Sequence, residues 1–145
     1  MIPPQAIHGI GRAFVQFGGW AVGNLISRTF DADIDIARLL RLSERSLLKE
    51  VGRRSDPSRR LRSEEAVDKG RSTIERLQPV IQARLCPQRE ALLAMLGAPE
   101  TQIATTIWQL LEPGVVSALA RPIAVLIVKR GIGHACRGWA PPLSE

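Results

Sequence analysis

The chain has 145 residues, a formal charge of +6, 45% apolar residues and 23% charged residues. That length and balance suit a single domain with a buried core and exclude wholesale disorder. Three Trp, three Phe and no Tyr leave Leu, Ile, Val and Ala to build the core, and no segment shows the strict alternation of a strand. The expected fold is therefore all-α, a compact orthogonal bundle of about five to seven helices in a single domain over 1–145.

Pro3-Pro4 precede an expected Gly-rich apolar helix over 5–29, in which Ile7, Ile10, Phe14, Phe17, Ala21 and Leu25 follow helical spacing. Gly19-Trp20-Ala21-Val22-Gly23 has a small-xxx-small pattern, which permits close helix approach, but Arg12, Gln16 and Asn24 interrupt a clean membrane span. The stretch before Asp31 has Arg12 and Arg28 and no acid, without the Ser and Arg density of a transit peptide. Asp31, Asp33 and Asp35 then stand at the start of a helix, where the macrodipole favours carboxylates. They lack the Gly and distal Glu of a calcium loop.

Two short helices with a sharp turn are expected over 34–54. Ser43 suits the N-cap of a helix over 44–52, and Gly52 suits its end. Residues 41–62 hold eight Lys/Arg against three acids, the densest positive charge in the chain. Such a concentration points to a polyanionic partner, nucleic acid or an anionic membrane surface, or else to a solvated Arg-rich loop. Ser63 is a second N-cap candidate, followed by a helix over 64–85 that Gly70 weakens and Pro79 kinks or splits. A short helix over 88–96 presents Leu92, Leu93 and Leu96 as its apolar face. Apolar helices follow over 101–130, broken at Glu112-Pro113-Gly114, with Arg121-Pro122 inside the second. The tail from Gly131 is expected to be irregular.

Chemistry for an enzyme is missing from the pattern. His8 and His134 are the only histidines. His134 lies two residues from Cys136, but an activated thiol needs a third, orienting group. Gly9-Ile10-Gly11 and Gly131-Ile132-Gly133 lack the third glycine and the preceding strand of a nucleotide loop. Cys86 and Cys136 have no zinc spacing and read as reduced thiols of a cytoplasmic protein, with a disulfide open as the alternative. No cofactor and no metal site are expected.

One stretch has a pattern beyond core making. Ile36-Ala37, Leu40, Leu42-Ser43, Ser46-Leu47 and Val51 are spaced as in a bacterial helix-turn-helix, and the segment resembles that motif over about 18 residues. Leu42-Ser43-Glu44-Arg45-Ser46-Leu47 is similar to the recognition-helix start of AraC-type regulators. Arg60-Leu61-Arg62-Ser63-Glu64-Glu65 is faintly similar to a segment of Xre-type antitoxins. The resemblance implies a small Ala at the helix–helix contact, Ser43 as cap, and a second helix whose outer face enters the major groove. It makes Ser43, Glu44, Arg45, Ser46 and Lys49 the groove-facing residues, with Arg53, Arg54, Arg59, Arg60 and Arg62 neutralising phosphates. Leu48 falls where a polar, groove-facing side chain is expected. Glu50 falls where an apolar or basic one is usual. A plain helical hairpin accommodates Leu39 and Leu48 better.

The expected function is thus non-enzymatic binding of double-stranded DNA by a small helix-turn-helix regulator. The alternative is a helical assembly subunit, pairing as a homodimer or with another protein through the apolar helices 5–29 and 101–128, or associated with a membrane through them.

Overall fold

Ser43 decides where the first well-defined helix begins. In the computed structural model, which describes residues 31–141, its hydroxyl accepts a hydrogen bond from the Ser46 amide at 3.1 Å. This satisfies one of the donors left free at a helix start, an interaction worth about 1 kcal/mol. Ahead of it, a helical segment over 31–40 (α1) closes with Leu42 N–H donating to the Leu39 carbonyl at 3.0 Å. Six helices follow: α2 Glu44–Ser55, α3 Ser63–Leu85, α4 Arg89–Leu93, α5 Glu100–Leu111, α6 Ser117–Arg130 and α7 Ile132–Ala135, with a 3-10 turn Cys86–Gln88 ahead of α4. No strand occurs among the described residues, whose regular structure is all-helical. The contacts separate residues 1–34 from a unit that begins at Asp35, and that second unit is described on its own below. The helix expected over 5–29 lies outside the described residues.

The unit's core has two apolar clusters. Ile36, Leu39, Leu47, Leu48, Val67 and Val125 belong to one, joining α1, α2, α3 and α6. The larger cluster runs from Ile81 and Leu85 of α3 through Ile107 and Leu111 of α5 to Ile123 and Ile127 of α6. Pro122 lies inside α6 and is buried, and the helix continues through it. Pro79 likewise sits within a continuous α3, which it does not split.

Several local expectations change. Gly52 does not end α2, which continues to Ser55 and stops where Asp56 precedes Pro57, a position that disfavours helical backbone. Gly52 and Gly70 instead form the crossing of α2 and α3. A Cβ on Gly52 would stand 2.0 Å from the Ala66 carbonyl oxygen, and one on Gly70 would stand 2.0 Å from that of Leu48. Only glycine lets the two backbones approach this closely, so the residue that weakens α3 by propensity is the one its packing requires. Ser63 is the first residue of α3 rather than its cap. Arg62 takes the cap position, and its backbone N–H donates to Glu65 Oε1 at 3.0 Å.

The expected helix over 88–96 is shorter, and of its apolar trio only Leu92 is buried, while Leu93 and Leu96 are exposed. The tail is not irregular throughout. Beyond α7, Cys136 forms a disulfide with Cys86, and both residues are buried. The pair are therefore not reduced thiols. This bond removes the premise on which the cytoplasmic expectation rested, since disulfides are rare in mesophilic cytosol. Closing a loop of 50 residues, it stabilises the fold by about 4 kcal/mol on the chain-entropy account. Gln82 Nε2 reinforces the junction by donating to the Ala135 and Arg137 carbonyls, each at 3.1 Å.

Candidate nucleic-acid interface

Helical geometry places residues four apart on one face, and α2 has two faces of different character. Leu47, Leu48, Val51 and Gly52 are buried, the first pair within the α1–α2–α3–α6 cluster and Gly52 against α3. Burial of Leu48 resolves its awkward place in the motif, because it supports the α3 crossing rather than facing outward. On the opposite side Arg45, Lys49 and Arg53 recur at intervals of four. Arg45 and Arg53 are exposed and Lys49 is partly so. The strip leads through the end of α2 into residues 56–62, where Arg59, Arg60 and Arg62 are exposed as well.

The ten sequence-designated residues separate into two groups. Ser43 is the cap, with its hydroxyl also hydrogen-bonded to that of Ser46, so both hydroxyls are engaged within the helix start. Glu44 accepts a hydrogen bond from Arg130 Nε at 3.0 Å, which ties α2 to the end of α6. Arg45 forms an ion pair with Glu64 of α3. Arg54 is occupied by two carboxylates and a carbonyl: Asp35 at 3.1 Å, Glu50 at 3.1 Å and the Ala118 carbonyl at 3.1 Å. Lys49, Arg53, Arg59, Arg60 and Arg62 have no carboxylate partner among the described residues. These five are the cations that remain available to an external anion.

Arg54 belongs to a cluster that the sequence pattern did not signal. Asp35 of α1 receives Arg54 of α2, Arg38 of α1 at 3.2 Å and Arg121 of α6 at 3.4 Å. Glu50 accepts from Arg38 at 3.4 Å in addition to Arg54. Arg121 also lies over the Trp108 ring, 5.1 Å from its centroid, and the Trp108 indole donates to Glu112. Partial burial pushes the Asp35 carboxyl upward. The Arg54 hydrogen bond and charge, with hydrogen bonds from Arg38 and Arg121, outweigh that and hold it below the ordinary carboxylate range. Asp35 is thus an ion-pair partner rather than a mere helix-start acid. Glu50, unusual for the motif, is accounted for by the same cluster. Its nearest sequence signal was the i, i+4 spacing of Glu50 and Arg54 and the i, i+3 spacing of Asp35 and Arg38.

The motif's own geometry is reproduced in part. Ile36, Leu47 and Val51 are buried, and Leu40 and Leu42 are partly so. Ala37, implied as the small residue at the helix–helix contact, is exposed. Close backbone approach occurs instead between α2 and α3. Cys136 is bonded to Cys86, so the thiol–imidazole pairing with His134 has no free thiol. No group of three or more His, Cys, Asp or Glu able to hold a metal occurs among the described residues. No helix among them is long and apolar enough to cross a membrane. Comparison of the chain with protein-family models, curated proteins and solved structures finds no match.

Proposed function

We propose that the chain is a non-enzymatic, double-stranded DNA-binding protein of the helix-turn-helix kind, in which contact is led by phosphates rather than bases. The observation that carries this reading is the run of cations without carboxylate partners among the described residues along the outer face of α2 and the loop behind it: the partly exposed Lys49 and the exposed Arg53, Arg59, Arg60 and Arg62. Guanidinium groups free of internal partners neutralise phosphates and release condensed counterions, so binding is electrostatic and sensitive to salt. At the start of α2, where a recognition helix would read bases, Glu44 and Glu64 accompany Arg45. Two carboxylates there oppose deep entry into the groove, which is why backbone contact dominates the reading. Regulation of transcription is the natural role for such a module.

A mobility-shift assay with mixed-sequence duplex DNA at two salt concentrations tests this. The wild type retards the duplex at low salt and releases it at high salt. The quadruple variant Arg53→Ala/Arg59→Ala/Arg60→Ala/Arg62→Ala loses most of that retention. Equal retention by both proteins, or none by the wild type at low salt, would remove the proposal.

A second reading, an assembly subunit, draws on Leu96 and Val116, which are 68% and 63% exposed. Large apolar side chains this open suit a protein contact. A mass from sedimentation equal to one chain at every concentration would leave that reading without support.

A further inference from the structure

Beyond the basic face, α3, α6 and α7 enclose a groove of about 80 Å³. Its floor is apolar and buried, built by Ile81, Ile123, Leu126 and Ile127. Its rim is polar, with Gln78, Arg130 and His134 exposed. An adjoining hollow shares Ile74, Gln78 and Arg130 and extends the groove toward Leu48 of α2. Arg130 therefore stands where the two meet.

We infer that this groove is a binding site for a small branched-chain carboxylate, with the Arg130 guanidinium as its anion partner. The claim is independent of whether the chain binds DNA. Size sets the body of the ligand: a dry cavity of roughly 150 Å³ accepts benzene, so about half that volume suits a three- or four-carbon aliphatic group such as isobutyl. The rim sets the head. Arg130 has donors only, and its Nε already donates to Glu44 Oε1 at 3.0 Å. That bond orients the guanidinium and leaves its two terminal nitrogens without a partner among the described residues. Paired terminal N–H groups in one plane match a carboxylate bidentately. Glu44 is engaged with the same arginine and Glu75 lines the adjoining hollow, so an incoming acid competes with Glu44 for charge and takes the side of the guanidinium that Glu44 leaves free.

Calorimetric titration with 3-methylbutanoate and with 3-methylbutanamide tests the assignment, because the two share a carbon skeleton and differ in the charge of the head. The wild type binds the carboxylate about tenfold more tightly, equal to about 1.4 kcal/mol. Arg130→Gln brings the two ligands to the same affinity. Glu44→Gln, which removes the competing acid from an exposed position, strengthens carboxylate binding severalfold and leaves amide binding unchanged. Equal affinity of the wild type for both heads would overturn the proposal, as would the lack of saturable carboxylate binding up to on the order of 10 mM. A Glu44→Gln protein no tighter for the carboxylate than the wild type would also count against it.

Discussion

Arg53 and Arg54 are neighbours in the chain and belong to different parts of the molecule. Arg54 turns inward to the cluster where α1, α2 and α6 meet, and two carboxylates and a carbonyl hold it there. Arg53 is exposed and has no carboxylate partner among the described residues. A one-residue step rotates a helical side chain by about 100°, enough to separate an exposed cation from a structural one. The positive charge of residues 41–62 is thus not one feature. Part of it is consumed by pairing with Asp35, Glu50 and Glu64, and the remainder faces solvent.

The sharpest way to break this distinction is to truncate the two arginines separately. Arg54→Ala leaves Asp35 and Glu50 partly buried with fewer counter-charges and lowers stability by about 3 kcal/mol. Arg53→Ala, on the exposed face, changes it by less than about 0.5 kcal/mol. Urea melts of the two variants measure the difference, and equal losses would merge the regions that the structure separates.

The orientation of α2 that puts the basic strip outward depends on its crossing with α3, and Gly70→Ala tests that dependence. Helix propensity alone forecasts a gain of about 1 kcal/mol in such a change. Collision of the new Cβ with the Leu48 carbonyl forecasts the opposite, since the helices must separate at a cost of about 3 kcal/mol. The net loss expected in a thermal or urea melt is about 2 kcal/mol. A more stable variant would mean that the crossing is looser than described.

Asp35→Asn probes the cluster through pH. A carboxyl held below its ordinary value in the fold stabilises the protein at neutral pH and loses that contribution as pH falls through the folded value. The stability gap between wild type and variant is therefore about 2 kcal/mol near pH 7 and narrows below about pH 4. Paired melts across that range measure it. A gap constant with pH would show that the carboxylate charge is not what stabilises the cluster.

Much of the helical architecture was legible because it follows from local rules. Ser43 announces a helix start, and the leucine and isoleucine spacing announces most of the buried faces. What stayed hidden depends on residues far apart in the chain. Gly52 looks like a terminator until α3 is seen against it. Gly70 looks like a defect until the Leu48 carbonyl is placed opposite. Arg121 inside an apolar helix has no rationale without Asp35, 86 residues away, and the Trp108 ring. Cys86 and Cys136 could be counted but not paired, since pairing is set by the return of α7 to the end of α3. Among the site residues, the exposure of Arg59, Arg60 and Arg62 was legible from the density of charge in residues 41–62. The inward turn of Arg54 was not, because its partner lies on another helix.

In the proposed function the exposed arginines bind phosphates, while those of the cluster hold the fold. Fluorescence anisotropy of labelled duplex DNA, titrated across a range of salt, reads this as the slope of log K against log salt. The quadruple variant Arg53→Ala/Arg59→Ala/Arg60→Ala/Arg62→Ala should show a slope shallower than the wild type by about 3.6, with an unchanged melting temperature. An unchanged slope, or a shallower slope accompanied by a large fall in melting temperature, would contradict it.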